Sequence, residues 1–296
     1  MLKTTRVLRM NIPIHGSLRN PVRLLRWQLY PIYHKLCLRH LDAPIVFCNS
    51  LPKSGTHLLL QILWGLKSLG PFWDRGSFVR THYRRTNVKR PVADVVRDIH
   101  GLLPGEIALG HVHATLENVS ALVQPGIANY FIYRDPRDVA VSRTFFVTEI
   151  APKHWLHRYY TQVLNNLEDR IAASILGISD VGLDLPNIRL HFEPYLGWLE
   201  QDQVICIRFE DLVHDKRQVL GQILDHLEAS GYQLSSSREE AVDVLAQSID
   251  PAQSPTFREG KTGSWRKYFT PEHKKLFKQV AGDLLIRLGY ERGADW

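Results

Sequence analysis

Residues 44–57 read Pro44-Ile-Val-Phe-Cys-Asn-Ser-Leu-Pro-Lys-Ser-Gly-Thr-His57. An apolar run suited to a buried strand over 44–49 leads into a turn holding Lys53, Ser54, Gly55 and Thr56, and a helical pattern follows over 56–68. A strand, a glycine-containing turn and a helix start aim free backbone N–H groups and the positive end of the helix dipole at one point, where an anion can sit. Lys53 adds a full charge there, and Ser54 and Thr56 add hydroxyl donors. The common nucleotide loop places its lysine directly after its second glycine, whereas here Lys53 follows Pro52 and precedes Gly55. An ordinary ATPase or kinase loop is therefore disfavoured. Taken alone, Lys53-Ser54-Gly55 also reads as a plain polar turn, so the weight falls on the rest of the chain.

A second anion site is suggested at 130–142, Tyr130-Phe-Ile-Tyr-Arg134-Asp-Pro-Arg-Asp138-Val-Ala-Val-Ser142. The run 127–133 suits a buried strand, Asp135 an N-cap, Pro136 the first helical position, and Asp138 the third position of a capping box. Arg134 then ends a strand, where parallel α/β sheets bind ligands, and offers a fork for a phosphate. Ser142 lies two turns into the next helix. Arg137 and Asp138 read as a local helix-start pair. A third segment, Arg258-Glu-Gly260-Lys-Thr-Gly263-Ser-Trp265, interleaves basic residues with two glycines, as an anion-closing loop would, and Thr270-Pro271-Glu272 starts a last helix after it.

The three segments, in this order, resemble the sulfotransferases that use 3′-phosphoadenosine 5′-phosphosulfate (PAPS). Pro52–Thr56 is similar to that family's 5′-phosphosulfate loop, Tyr133–Ser142 to its 3′-phosphate segment, and Arg258–Trp265 to its C-terminal phosphate loop; Tyr195-x-x-Trp198 and Arg208-Phe-Glu-Asp-Leu212 fit intervening elements, so the likeness spans about residues 44–290. It implies an α/β fold, a P-loop-like three-layer domain with a central parallel sheet flanked by helices. It also implies an enzyme moving a sulfuryl group from PAPS, as co-substrate, to a hydroxyl of a small-molecule or lipid-like acceptor. On this likeness Lys53, Ser54, Gly55, Thr56, His57, Arg134, Ser142, Tyr195, Arg258 and Gly260 hold the donor. Two departures stand out. Leu58 occupies the position where cytosolic members commonly stack a tryptophan on adenine, which leaves Tyr195 or Trp64 for that role, and Glu259 replaces a lysine common after the loop arginine.

The family's base is a histidine on the strand between the first two motifs. His111 ends the apolar run Ile107-Ala-Leu-Gly-His111, 58 residues after Lys53 and 23 before Arg134, about where the family places it; His113 is the runner-up, and His82 and His100 read as surface or core residues. The resemblance implies catalytic roles for Lys53, which would stabilise charge on the leaving phosphate, and His111, which would take the acceptor's proton. His111 and His113 lack further ligands at recognisable metal-site spacing, so no metal is expected.

The chain has 296 residues and no linker or repeat divides it, so one large domain over 42–296 is expected behind a basic segment over 1–41. That segment holds eight Lys and Arg and no acid, a sum of +8 against a net charge of +7 for the whole chain, so nearly all of the basicity is N-terminal. With Leu24, Leu25, Trp27, Leu29 and Tyr30 interleaved, it is suited to peripheral contact with an anionic membrane; a solvated helix is the plain alternative, and no nucleic acid is expected as partner. Three scattered cysteines fit a reducing compartment, and without an apolar span or a signal-peptide core a cytoplasmic protein is expected. A P-loop nucleotide kinase, or an inactive lipid- or nucleic-acid-binding protein, remains the competing reading. Further strands are expected near 106–112 and 203–209, and helices near 136–146, 154–175, 194–200, 213–230, 238–247 and 271–287. Residues 71–105 read as irregular, an acceptor-side flap.

Overall fold

The computed structural model describes residues 43–296 apart from 84–86, 181 and 255–257; the basic segment 1–41 lies outside the described residues. In chain order the strands are β1 (Ile45–Ser50), β2 (Phe78–Arg80), β3 (Ile107–His111), β4 (Ile127–Tyr133), a small hairpin β5 (Ile178–Asp180) and β6 (Leu183–Leu185), and β7 (Val204–Arg208). Five of them form a parallel sheet in the order β2-β3-β1-β4-β7. The helices are α1 (Thr56–Trp64), α2 (Val92–His100), α3 (Leu116–Leu122), α4 (Pro136–Phe145), α5 (Leu167–Leu176), α6 (Ile188–Leu196), α7 (Phe209–His214), α8 (Lys216–Ala229), α9 (Arg238–Gln247), α10 (Trp265–Tyr268), α11 (Pro271–Ala281) and α12 (Leu284–Arg287).

Parallel strands covered on both faces read as near-continuous apolar runs, and the alternation of their side chains divides the core in two. Val46, Cys48, Tyr130 and Ile132 pack with α1, α8 and α9 on one face. Phe47, Phe131 and Tyr133 pack with α4, α5, α6 and α11 on the other. The layers and the central strands follow the sequence expectation.

Several elements differ from it, each for a local reason. The helix expected over 154–175 is split: a π-helical turn over Tyr159–Val163 ends at Leu164, whose backbone is extended, and α5 begins at Leu167 behind Asn166, also extended, whose side chain caps the amide of Asp169. The helix expected over 213–230 breaks at Asp215, whose backbone leaves the helical region. Residues 71–105 are not irregular: they contain β2 and α2, the latter burying only Val95 and Ile99. The segment expected as a helix at 194–200 starts at Ile188, capped by Asn187. The final helix starts as expected, Thr270 and His273 forming a capping box behind Pro271, but α11 gives way at Gly282 to the short α12.

Candidate active site

The turn after β1 takes its shape from two residues with positive φ, Lys53 at 73° and Gly55 at 96°. For a lysine this region is sparsely populated and costs about 1–3 kcal/mol, a strain found mostly at functional sites. At Gly55 the conformation and the packing both require glycine: a Cβ would lie 2.6 Å from Phe209 Cδ2. No side chain caps the start of α1, so its first-turn amides remain for an anion. Ser54 is fully buried and its Oγ has no hydrogen-bond partner, a donor aimed at nothing the protein itself supplies. Lys53 Nζ stands 3.7 Å above the Phe146 ring. Burial, reinforced by the positive charges of Arg134, Arg258 and Arg143, pulls the Lys53 pKa down to about 7. This cluster is short of negative charge, and a polyanionic ligand would supply it.

Arg134 leaves the carboxyl end of β4 over the Phe209 ring at 4.4 Å and donates to Asp138 Oδ2 and to the Lys261 carbonyl. Its Nε is buried without a partner. The capping box expected at Asp138 does not form. Asp135 does cap the Arg137 amide, but the Asp138 carboxylate accepts from the amides of Gly263 and Trp265, each at 2.8 Å, and the Asp135 amide donates to Glu210 instead. Asp138 therefore ties the 258–264 loop to α4. Arg137 completes the tie: paired with Asp135 and Glu291, it lies under the Trp265 and Trp296 rings at 3.9 and 4.6 Å. Arg258 stacks on Phe145 at 4.1 Å with Glu259 3.7 Å away. Ser142 is half-buried two turns into α4, and Gly260, with φ 63°, is exposed in the loop.

His111 ends β3 beside the turn. Its Nδ1 lies 2.9 Å from the Ser50 carbonyl and 3.0 Å from Ser50 Oγ, which is itself 2.8 Å from Thr56 Oγ1. A carbonyl only accepts, so Nδ1 carries the hydrogen and Nε2 keeps its lone pair. Burial pulls the His111 pKa to about 4 against the opposing Ser50 hydrogen bond, and the charges of Arg80, His57 and Lys53 add to the depression. The imidazole is neutral at pH 7. His113 faces different neighbours, edge-on to His82 and Tyr195 at 5.2 and 4.8 Å, and burial with the charges of His82 and Lys89 lowers it to about 3. Tyr195 is only 4% exposed and stacks on Phe131, so its ring presents no open face to a base. Trp64 sits about 12 Å down α1 from the turn.

Asn49, a residue not singled out in the sequence, leads the set that holds the histidine in place. The carboxamide of Asn49 grips Val112 on both sides, accepting from its amide at 3.0 Å and donating to its carbonyl at 3.2 Å, and Trp198 Nε1 donates to the same carbonyl. Asn49 thereby acts as an extra peptide group that continues the ladder past the end of β3. Gly110 lets β3 lie this close, since a Cβ there would sit 2.5 Å from Phe47 Cζ. The buried asparagine in an apolar strand was the available signal. Among the described residues, no group of three or more His, Cys, Asp and Glu is placed to hold a metal ion, and no helix is long and apolar enough to cross a membrane.

Comparison with known proteins agrees with this geometry. Residues 44–289 match the family model for the sulfotransferase domain. Sulfotransferase 2A6 of Mus musculus is 23% identical over 282 residues, covering 86% of this chain and 88% of the relative; Sulfotransferase 2A2 of Rattus norvegicus is 24% identical over 257 residues, covering 77% and 80%. Among solved structures, mouse sulfotransferase SULT7A1 complexed with PAP superposes with a TM-score of 0.52 at 18% identity, over 84% of this chain and 88% of that one. Retinol dehydratase in complex with androsterone and the inactive cofactor PAP gives 0.51 at 18%, over 81% and 80%. The chain belongs to the sulfotransferase domain family.

Proposed function

We propose that this sulfotransferase takes its sulfuryl group from PAPS and gives it to a hydroxyl of a small-molecule or lipid-like acceptor, with Lys53 and His111 as the two catalytic residues. The observation that carries this reading is the meeting of a strained, uncapped turn bearing Lys53 with a neutral histidine whose free Nε2 is fixed by the Ser50 carbonyl. The solved relatives hold PAP, and the buried, partnerless Ser54 Oγ and Arg134 Nε fit a donor carrying phosphate groups.

When bound, PAPS supplies a sulfuryl group whose S–O bond to the leaving phosphate breaks as the new bond to the acceptor oxygen forms. The turn amides, Ser54, Thr56 and His57 hold the 5′ side, and Arg134, Ser142, Arg258 and Gly260 the 3′-phosphate. Lys53 neutralises charge that grows on the leaving oxygen, a contribution made mainly in the transition state. His111 Nε2 takes the acceptor's proton, and the resulting imidazolium is held by the Ser50 carbonyl at Nδ1. Both catalytic groups are tuned for this, Lys53 needing an anion to be fully charged and His111 being unprotonated. The expected test is transfer of label from radiolabelled PAPS into a compound of a cell extract by the pure protein; absence of transfer together with absence of PAP binding refutes the reading. The 1–41 segment is proposed to bind anionic vesicles in a salt-sensitive way; equal sedimentation of full-length and truncated chains with such vesicles refutes that.

A further inference from the structure

The segment after α12 folds back onto the start of α4, and its contacts converge on Asp135, the residue that follows Arg134. Both polar groups of Asp135 are held through one intermediary each. Its amide donates to Glu210 Oε1 at 3.2 Å, and Glu210 Oε2 accepts from the Tyr290 hydroxyl at 2.8 Å. Its carboxylate accepts from Arg137 Nε and Nη2 at 3.0 and 2.7 Å, and Arg137 Nη1 donates to Glu291 Oε1 at 2.6 Å. Two lines of contact thus start at one residue and end on sequence neighbours, Tyr290 and Glu291.

The turn that brings them there is local. Helix α12 buries Leu284 and Leu285, and the amides of Gly289 and Tyr290 close it on the Ile286 and Leu285 carbonyls at 3.0 and 2.8 Å, the paired bonds of a Schellman turn. Asp135 and Arg137 are 5% and 1% exposed, so removing one partner of this ion pair leaves a buried charge unmatched. Arg137 also leads to the loop. Its guanidinium lies 3.9 Å from the Trp265 ring and 4.6 Å from the Trp296 ring, and Trp296 stands edge-on to Trp265 and Phe277, each at 5.6 Å. The Trp265 amide is one of the two through which Asp138 holds the 258–264 loop. One short segment therefore reaches Arg134 on one side and the loop bearing Arg258 on the other.

We infer that residues 290–296 form a clasp that sets the spacing between Arg134 and the 258–264 loop, with Tyr290, Glu291 and Trp296 as positioning residues for the 3′-phosphate of the donor. The inference rests on the reading that Arg134 and Arg258 hold that phosphate. The three residues act through Asp135, Arg137 and Trp265. The turn at 51–56 takes its shape from its own backbone, so its grip on the 5′ side should change little when the clasp is loosened.

Calorimetry on the full chain compares PAP with adenosine 5′-phosphate, which lacks the 3′-phosphate. Tyr290→Phe and Glu291→Gln should each weaken PAP binding by about three- to tenfold and leave adenosine 5′-phosphate within about twofold. Trp296→Leu should weaken PAP binding by roughly tenfold, and Trp296→Phe, which keeps a ring on Arg137, should recover most of the loss. In an Arg134→Ala background Tyr290→Phe should have almost no further effect, since residues that act through one another are not additive. Equal losses for both nucleotides, additive losses in the double variant, or wild-type PAP affinity in both Tyr290→Phe and Glu291→Gln overturn the inference. Tyr290→Phe removes a single oxygen atom, so it decides the matter if Glu291→Gln or Trp296→Leu does not fold. A wild type that binds both nucleotides alike overturns the donor reading and the clasp's role with it; a discriminating wild type with indifferent variants overturns the clasp alone.

Discussion

The turn at 51–56 and the loop at 258–264 bring cations to the same carboxyl edge of the sheet by opposite means. The turn is shaped by its own backbone, with two positive φ values, Phe209 packed against Gly55 and α1 growing directly from it. The loop is held from outside: Asp138 ties down two of its amides, Arg134 grips the Lys261 carbonyl, and Trp265 lies over Arg137. A rigid element suits a group that must meet charge developing during bond cleavage. A side-chain-tethered element suits a group that only positions a ligand. Substitutions in the turn should therefore act on the rate constant, and those in the loop on the apparent affinity for PAPS.

The largest expected effect is on Lys53. Lys53→Ala and Lys53→Met should lower kcat by about 10³-fold, the scale of a lost transition-state donor, while PAP binding measured by calorimetry weakens far less. Wild-type turnover by either variant breaks the division of labour. Next, His111→Ala should lower kcat by at least ~10²-fold, and His113→Ala should stay within about tenfold of wild type. In the wild type, kcat/KM should fall as the pH drops through about 4, where free His111 becomes protonated, and the His111→Ala profile should lose that limb. A reversed pattern would move the base to His113.

On the loop side, Arg134→Ala and Arg258→Ala should raise the KM for PAPS with kcat nearly constant, each lost charge-assisted contact costing about 1.5–3 kcal/mol. Preference for PAP over the nucleotide lacking the 3′-phosphate should shrink in both, and an unchanged preference would remove these residues from that role. The smallest effect is a proton count. Lys53 titrates near 7 in the free protein, and a bound polyanion raises its pKa, so at pH values about one unit above 7 binding should take up close to one proton by linkage. Calorimetry of PAP binding in buffers of different ionisation enthalpy reads this directly; Lys53→Met should show almost none.

Much of the cradle was legible because its signals are local. A continuous apolar run, Pro52 and Gly55 mark a strand and turn, and Asp135-Pro136 and Thr270-Pro271 mark helix starts through capping rules that act within three residues. What escaped depends on partners far away in sequence. Asp138 has the spacing of a capping box, yet its carboxylate serves amides 125 and 127 positions later. Asn49 reads as a polar interruption in a strand, and only its reach to Val112 gives it a task. Helix α2 was legible and was passed over: Val92, Val95, Val96 and Ile99 recur at i, i+3, i+4 and i+7, with Val95 and Ile99 buried and Val96 packed beside them, but the many arginines around it make 71–105 read as loop.

The same long-range stitching governs how the protein must come together. Strand β1 lies in the middle of the sheet, but its neighbours β3 and β4 arrive only much later in the chain. The bonds that set the site span 61 positions from His111 to Ser50, 63 from Asn49 to Val112 and 127 from Arg134 to Lys261. Contacts so non-local are slow to form, because loop-closure entropy is lost before they repay it. A growing polypeptide therefore carries Lys53 early without its cradle being complete, and the pieces meet only after the loop near 260 has been synthesised. A nucleotide that recognises the finished arrangement would bind the native state and not the partly made chain, stabilising the whole domain in proportion to its concentration over its dissociation constant.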